Sequence, residues 1–278
     1  MKRRTVRGPA VAFCGLLACS RPTTREVPVE PADDRAAIVA LFDAAEACGD
    51  RYRCPPADAL AERAQRPGDL SVLDAAFAIM TDPKIGTTER RFKIASSTAR
   101  AWAAARTTQG AALSGADEQA LRAHVLRLLD RGDTAVPAHG FVEYLSDARA
   151  LFEREALDPR RGNDEVHSAI RGLRDRERDL TTVAAWLAGR DERSMVAGAL
   201  LLDAFDHARV RPDEEVAMLL AFARRTDTDP EAAGIIARHA VDHGEPAFAP
   251  VLEALARHPD ASVRELALAT PAGGHVHN

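Results

Sequence analysis

From residue 35 to residue 269, apolar side chains recur at spacings of three and four, and each run ends in a short polar break. That period puts the apolar residues on one face of a helix, so the chain reads as successive amphipathic helices that bury those faces against one another. Ala37, Ile38, Leu41, Phe42 and Ala45 are the first example. The spacing predicts helices over 35–47, 57–66, 70–80, 87–106, 117–131, 136–157, 164–188, 192–207, 213–225, 230–243, 247–257 and 260–269. Composition agrees, because 56 Ala against 5% aromatic residues favours helix and disfavours a β-sandwich or barrel. The expected fold class is all-α.

The breaks carry helix-start chemistry. Asp82-Pro83, Asp158-Pro159 and Asp229-Pro230 each place a capping carboxylate before a residue suited to a first helical turn. Read as helix starts, Asp82, Asp117, Asp158, Asp191, Asp229 and Asp260 recur at intervals typical of a two-helix hairpin. Ser114-Gly115 and Gly132-Asp133 punctuate the middle.

The N-terminus has a different character. Lys2, Arg3, Arg4 and Arg7 precede an apolar run from Pro9 to Ala18, the n-region and h-region of a secretory signal. Ten apolar residues span only about 15 Å as a helix, too short for a retained transmembrane anchor. The run Leu16-Leu17-Ala18-Cys19 resembles the lipobox of bacterial lipoproteins. That resemblance implies cleavage before Cys19, lipidation of its sulfur and, since Ser20 follows, sorting to the outer membrane, facing the periplasm. Residues 1–18 are then signal peptide, 19–34 a Pro-rich tether able to reach about 45 Å if extended, 35–270 the helical domain and 271–278 a tail. From Cys19 onward, 33 basic groups face 42 acidic ones, which excludes a basic nucleic-acid surface.

Two cysteines remain in the folded part. Cys48 and Cys54 flank Gly49-Asp50, a turn-forming pair, and an exported chain would join them as a disulfide. Free thiols are the alternative. A redox or metal role has little support, since Cys-x5-Cys lacks the Cys-x2-Cys spacing and has no neighbouring His.

Asp260-Ala-Ser-Val-Arg-Glu-Leu-Ala267, preceded by a helix with Phe248, Val251, Leu252 and Leu255 inward, resembles HEAT-like repeats. There an Asp-x-x-Val-Arg turn joins paired helices. Asp260, Val263 and Arg264 occupy those positions, and the resemblance implies that Asp260 caps the second helix while Arg264 contacts a neighbouring repeat. It is most specific over 245–270 and looser over 191–243, where Arg193 stands too early for the motif. The expected architecture is an α-α superhelix of HEAT-like hairpins, with an irregular bundle as the alternative for the N-terminal half.

The chain has no Gly-x-Ser-x-Gly, no phosphate-cradling Gly-x-x-x-x-Gly-Lys and no dinucleotide fingerprint, so the expectation is a non-enzymatic protein without a cofactor. His239 and His243 stand four apart on one helical face, half of a helical metal site, with His275 and His277 in the tail as further donors. The plainer reading is a solvated helix end. The run Arg171 to Asp179 interleaves acids and bases, as a solvated face does. Trp102 and Trp186, each in an Ala-rich helical run, suit core packing better than ligand stacking. The functional expectation is a membrane-anchored scaffold or assembly factor for envelope proteins, since stacked hairpins form extended binding surfaces. The alternative is a small-ligand or metal-binding lipoprotein.

Overall fold

The computed structural model describes residues 33–49, 54–81, 88–107, 112–131, 135–174, 180–205, 212–244 and 246–269. Cys19, residues 20–32 of the tether, the tail histidines His275 and His277, Asp82 and residues 175–179 lie outside the described residues, while Asp33 and Asp34, expected to close the tether, already belong to the first helix. The described residues form α-helices and no strand. In chain order these are α1 (Asp33–Ala47), α2 (Pro55–Ala64), α3 (Ser71–Thr81), α4 (Glu89–Ala104), α5 (Gly115–Asp130), α6 (Ala135–Val142) and α7 (Ala148–Leu157). They continue as α8 (Asn163–Arg174), α9 (Thr181–Leu187), α10 (Glu192–Asp203), α11 (Pro212–Ala223), α12 (Pro230–His243), α13 (Ala249–Leu255) and α14 (Ala261–Leu268). No helix among them is long and apolar enough to cross a membrane.

One continuous set of buried apolar residues runs from Ile38 to Ala267, supplied by the three-and-four stripes of nearly every helix. Sequential helices pair, α1 with α2, α3 with α4, α5 with α6, α7 with α8, α9 with α10 and α13 with α14. From α6 onward the even-numbered helices also form a row, with α8 between α6 and α10, and α12 between α10 and α14. Close approach depends on small residues. At Gly172 of α8 an added methyl would overlap the Phe152 ring of α7, and at Gly198 of α10 it would press on Trp186 and Leu187 of α9.

A polar ladder ties each turn to an earlier one. Arg106 Nη1 donates to the Ala64 carbonyl at 2.7 Å, and Arg161 Nη2 to that of Leu129 at 2.6 Å. Arg193 Nη2 donates to the carbonyls of Asp158, at 3.0 Å, and of Arg161. Arg225 holds the carbonyls of Leu187 at 2.6 Å and Gly189 at 2.8 Å, and His258 Nε2 lies 3.0 Å from Thr228 Oγ1. The carbonyls so bound belong to helix ends and the turns beside them, which lack intrahelical partners and carry the negative end of the helix dipole. A guanidinium is suited to both tasks.

Several expectations are corrected. Asp191, Asp229 and Asp260 are N-caps, accepting from the backbone N–H groups of Ser194, Ala232 and Ser262 respectively. Asp117 instead lies inside the first turn of α5, and Asp158 is the C-terminal cap of α7, where its carboxylate accepts from Arg160. Arg264 donates to the carbonyls of His258 and Pro259, so it braces its own turn; Arg193, displaced from the motif, is the one that reaches the preceding layer. The single helix expected over 136–157 is two helices. Glu118 of α5 accepts from Ser146 N and Oγ, and Arg122 grips Asp147 with two hydrogen bonds, which turns the chain between α6 and α7.

Cys48 and Cys54 are joined, with Cα atoms 5.9 Å apart, within the span a disulfide bridges. Trp102 is fully buried and donates from Nε1 to the Asp69 carbonyl at 2.7 Å. Trp186 packs half-buried against the core. Arg171 and Arg174 are exposed on α8, as a solvated face requires.

Candidate functional site

α12 begins at the Asp229 cap and Pro230 and stops at Gly244, whose φ of +60° is a left-handed conformation that favours glycine. Between these ends Ala233, Ile236, Ala237 and Ala240 face the core. His239 and His243 lie at i+3 from Ile236 and Ala240, beside that apolar stripe. His239 is therefore buried, with 3% of its side chain exposed, and the expectation of a solvated helix end fails for it because α12 packs here on α10, Phe248 lies against the ring and Glu215 of α11 meets its Nε2.

Glu215, in the first turn of α11, is also buried, and its Oε1 lies 2.6 Å from His239 Nε2. Asp203, at the end of α10 and largely exposed, places Oδ1 3.8 Å from His239 Nδ1. Burial pulls the His239 imidazole toward its neutral form, but the carboxylates of Asp203 and Glu215 more than reverse this and raise it to about 9. At neutral pH the metal-free cluster is a buried imidazolium between two carboxylates. The His243 ring sits 4.5 Å from that of His239 and stacks on Phe248 at 4.8 Å. One donor atom from each of Glu215, His239 and His243 falls within 4.8 Å of the others. Two imidazoles and a carboxylate in this proximity can hold a divalent ion.

A second feature is an apolar groove of about 580 Å³ between α9 and α11. Ala184, Leu187 and Ala188 form one wall and Met218, Ala221 and Phe222 the other, with Arg190, Arg225 and Asp227 at the rim. Arg225 fixes the two walls together through its bonds to the Leu187 and Gly189 carbonyls and closes on Asp227 at 2.9 Å.

His124 looks reactive by residue type but is fully engaged. Its Nδ1 accepts from Arg127 at 2.8 Å, its Nε2 faces Asp74 Oδ1 at 2.7 Å, and its ring stacks on Phe77. Burial, ahead of Arg127, holds it below the usual histidine range. Glu155 and Arg161 form a buried ion pair with the His139 imidazole beside it at 4.0 Å.

Sequence reasoning singled out His239 and His243 but not Glu215, which looks like any acid of a helix first turn beside Asp213 and Glu214. Its hydrogen bond to His239, from a different helix, alone distinguishes it. Comparison with protein-family models, with curated proteins and with solved structures gives no match.

Proposed function

We propose that the chain is an outer-membrane lipoprotein, anchored through Cys19 and facing the periplasm, that acts as a scaffold for another envelope protein. In this reading the paired helices are a short superhelix of HEAT-like hairpins, and the turn ladder keeps the array stiff enough to present a preformed surface. It is a binding protein and not an enzyme.

The observation that carries the reading is the groove between α9 and α11. It is open and apolar along both walls, and Arg225, fixed by its bonds to the Leu187 and Gly189 carbonyls, stands at its rim with Arg190 and Asp227. Its occupant is an amphipathic helix of the partner, apolar residues inward and an acidic residue against Arg190, the rim cation that is exposed. Ala188 and Ala221 are exposed on opposite walls, so carboxylates introduced there alter the groove without disturbing the core.

A mild-detergent pull-down of full-length protein from its native envelope tests this, with Cys19→Ser and Ala188→Glu in parallel. One envelope protein recovered near stoichiometrically, depleted by both substitutions, is the expected result. Equal recovery with Ala188→Glu would remove the groove from the account. The alternative, a metal-binding lipoprotein, is favoured by the Glu215, His239 and His243 cluster.

A further inference from the structure

We propose that Glu215, His239 and His243 form a binding site for one late first-row divalent cation of the zinc class, with Asp203 at its outer edge. The site lies at the first turn of α11, away from the groove at the other end of that helix, and does not depend on the scaffold reading.

The donor set is the first argument. Two imidazoles at i and i+4 on one helix and a carboxylate from a second helix make the His2Glu combination that leaves a fourth tetrahedral position open. Mixed nitrogen and oxygen donors suit zinc, nickel or copper, whereas calcium and magnesium demand oxygen. Positioning is the second. His239 and Glu215 are both buried and hydrogen-bonded to each other, and Phe248 fixes the His243 ring by stacking at 4.8 Å while supplying an apolar wall. The third is a carboxylate behind the ligands. Asp203 places Oδ1 3.8 Å from His239 Nδ1, on the ring edge opposite Glu215, where it can orient the imidazole.

Loading requires little movement. The 2.6 Å contact between Glu215 Oε1 and His239 Nε2 is a hydrogen bond in the metal-free protein. Two ligands on one tetrahedral ion stand about 3.3 Å apart at bond lengths near 2.0–2.1 Å, so side-chain rotation of less than one ångström opens the pair. The bonds formed are from the carboxylate oxygen and the two imidazole nitrogens to the ion, and the His239 proton leaves to solvent.

The test is titration of metal-free full-length protein with zinc chloride by calorimetry, with cobalt chloride followed in the visible region. The proposal expects one ion per chain, micromolar or tighter, and an intense tetrahedral cobalt band. His243→Ala and Glu215→Gln should each weaken zinc binding by at least 10-fold, with circular dichroism confirming that the variants remain helical. His275→Ala with His277→Ala should leave it unchanged. Absence of stoichiometric zinc binding by the unaltered chain, a six-coordinate cobalt spectrum, or loss of binding only in the tail variant would overturn the proposal.

Discussion

Arg161 Nη2 lies 2.6 Å from Glu155 Oε2, with 4% and 1% of their side chains exposed, and the same nitrogen donates to the Leu129 carbonyl. Arg161 thus caps α5 and joins it to α7 and to the turn before α8, while the sealed Glu155 carboxylate is shared with Arg154, whose Nη2 donates to Oε1 at 2.9 Å. Glu155→Ala strips the buried Arg161 guanidinium of its close carboxylate, leaving Asp158 at 3.8 Å, and should cost about 3–5 kcal/mol by urea unfolding. Arg161→Ala should cost less, because Arg154 still holds Glu155. The double replacement Glu155→Leu with Arg161→Met should cost less than the sum of the singles, because neither buried charge remains.

Two of the buried histidines, His139 and His239, give stability opposite pH slopes. Burial, reinforced by Arg161, pushes His139 down to about 4. Its folded value is below the unfolded value, so its contribution is complete above about 6.5 and declines as pH falls toward 4, by up to about 3 kcal/mol. His239 is raised to about 9, so its contribution is complete below about 6.5 and declines as pH rises through 9, by a similar amount. Thermal melts with chelator present should therefore peak near pH 6 to 7. His239→Asn should flatten the alkaline limb and His139→Asn the acid one.

The N-terminal disulfide closes a short loop, so its stabilisation is about 2 kcal/mol and local. Hydrogen exchange should show Cys54→Ser loosening α1 and α2 while the row α10, α12 and α14 keeps its protection.

Capping discriminates between aspartates that look alike in sequence. Asp260→Ala and Asp191→Ala remove N-cap acceptors and should each cost about 1 kcal/mol. Asp117→Ala removes only a 3.9 Å contact with Arg106 and should stay within about 0.5 kcal/mol of the parent. Denaturant midpoints measured side by side decide this.

Much of the fold was legible because local signals act alone there. Asp229-Pro230 and Gly244 bound α12 where periodicity and caps place it, over 230–243. The break between α6 and α7 was not legible, since no Gly or Pro marks it. Glu118 and Arg122, some 25 residues earlier in the chain, bend it by binding Ser146 and Asp147. Arg193 was read only as standing too early for the repeat motif, for the same kind of reason: its partners are carbonyls of a turn more than thirty residues back. For the cluster, the spacing put His239 and His243 on one face of α12 but read that face as a solvated helix end. What buries His239 is the packing of α12 on α10 and Phe248, and what supplies Glu215 is a hydrogen bond from a separate helix, neither of which any spacing within α12 encodes.

The most direct measurement for the scaffold account is in-cell photocrosslinking from a benzoylphenylalanine at position 221, at the exposed wall of the groove, in otherwise intact protein. The account predicts one dominant adduct with an envelope protein, abolished when Ala188→Glu is added and diminished by Cys19→Ser. Adducts that are absent, or unchanged by Ala188→Glu, would contradict it.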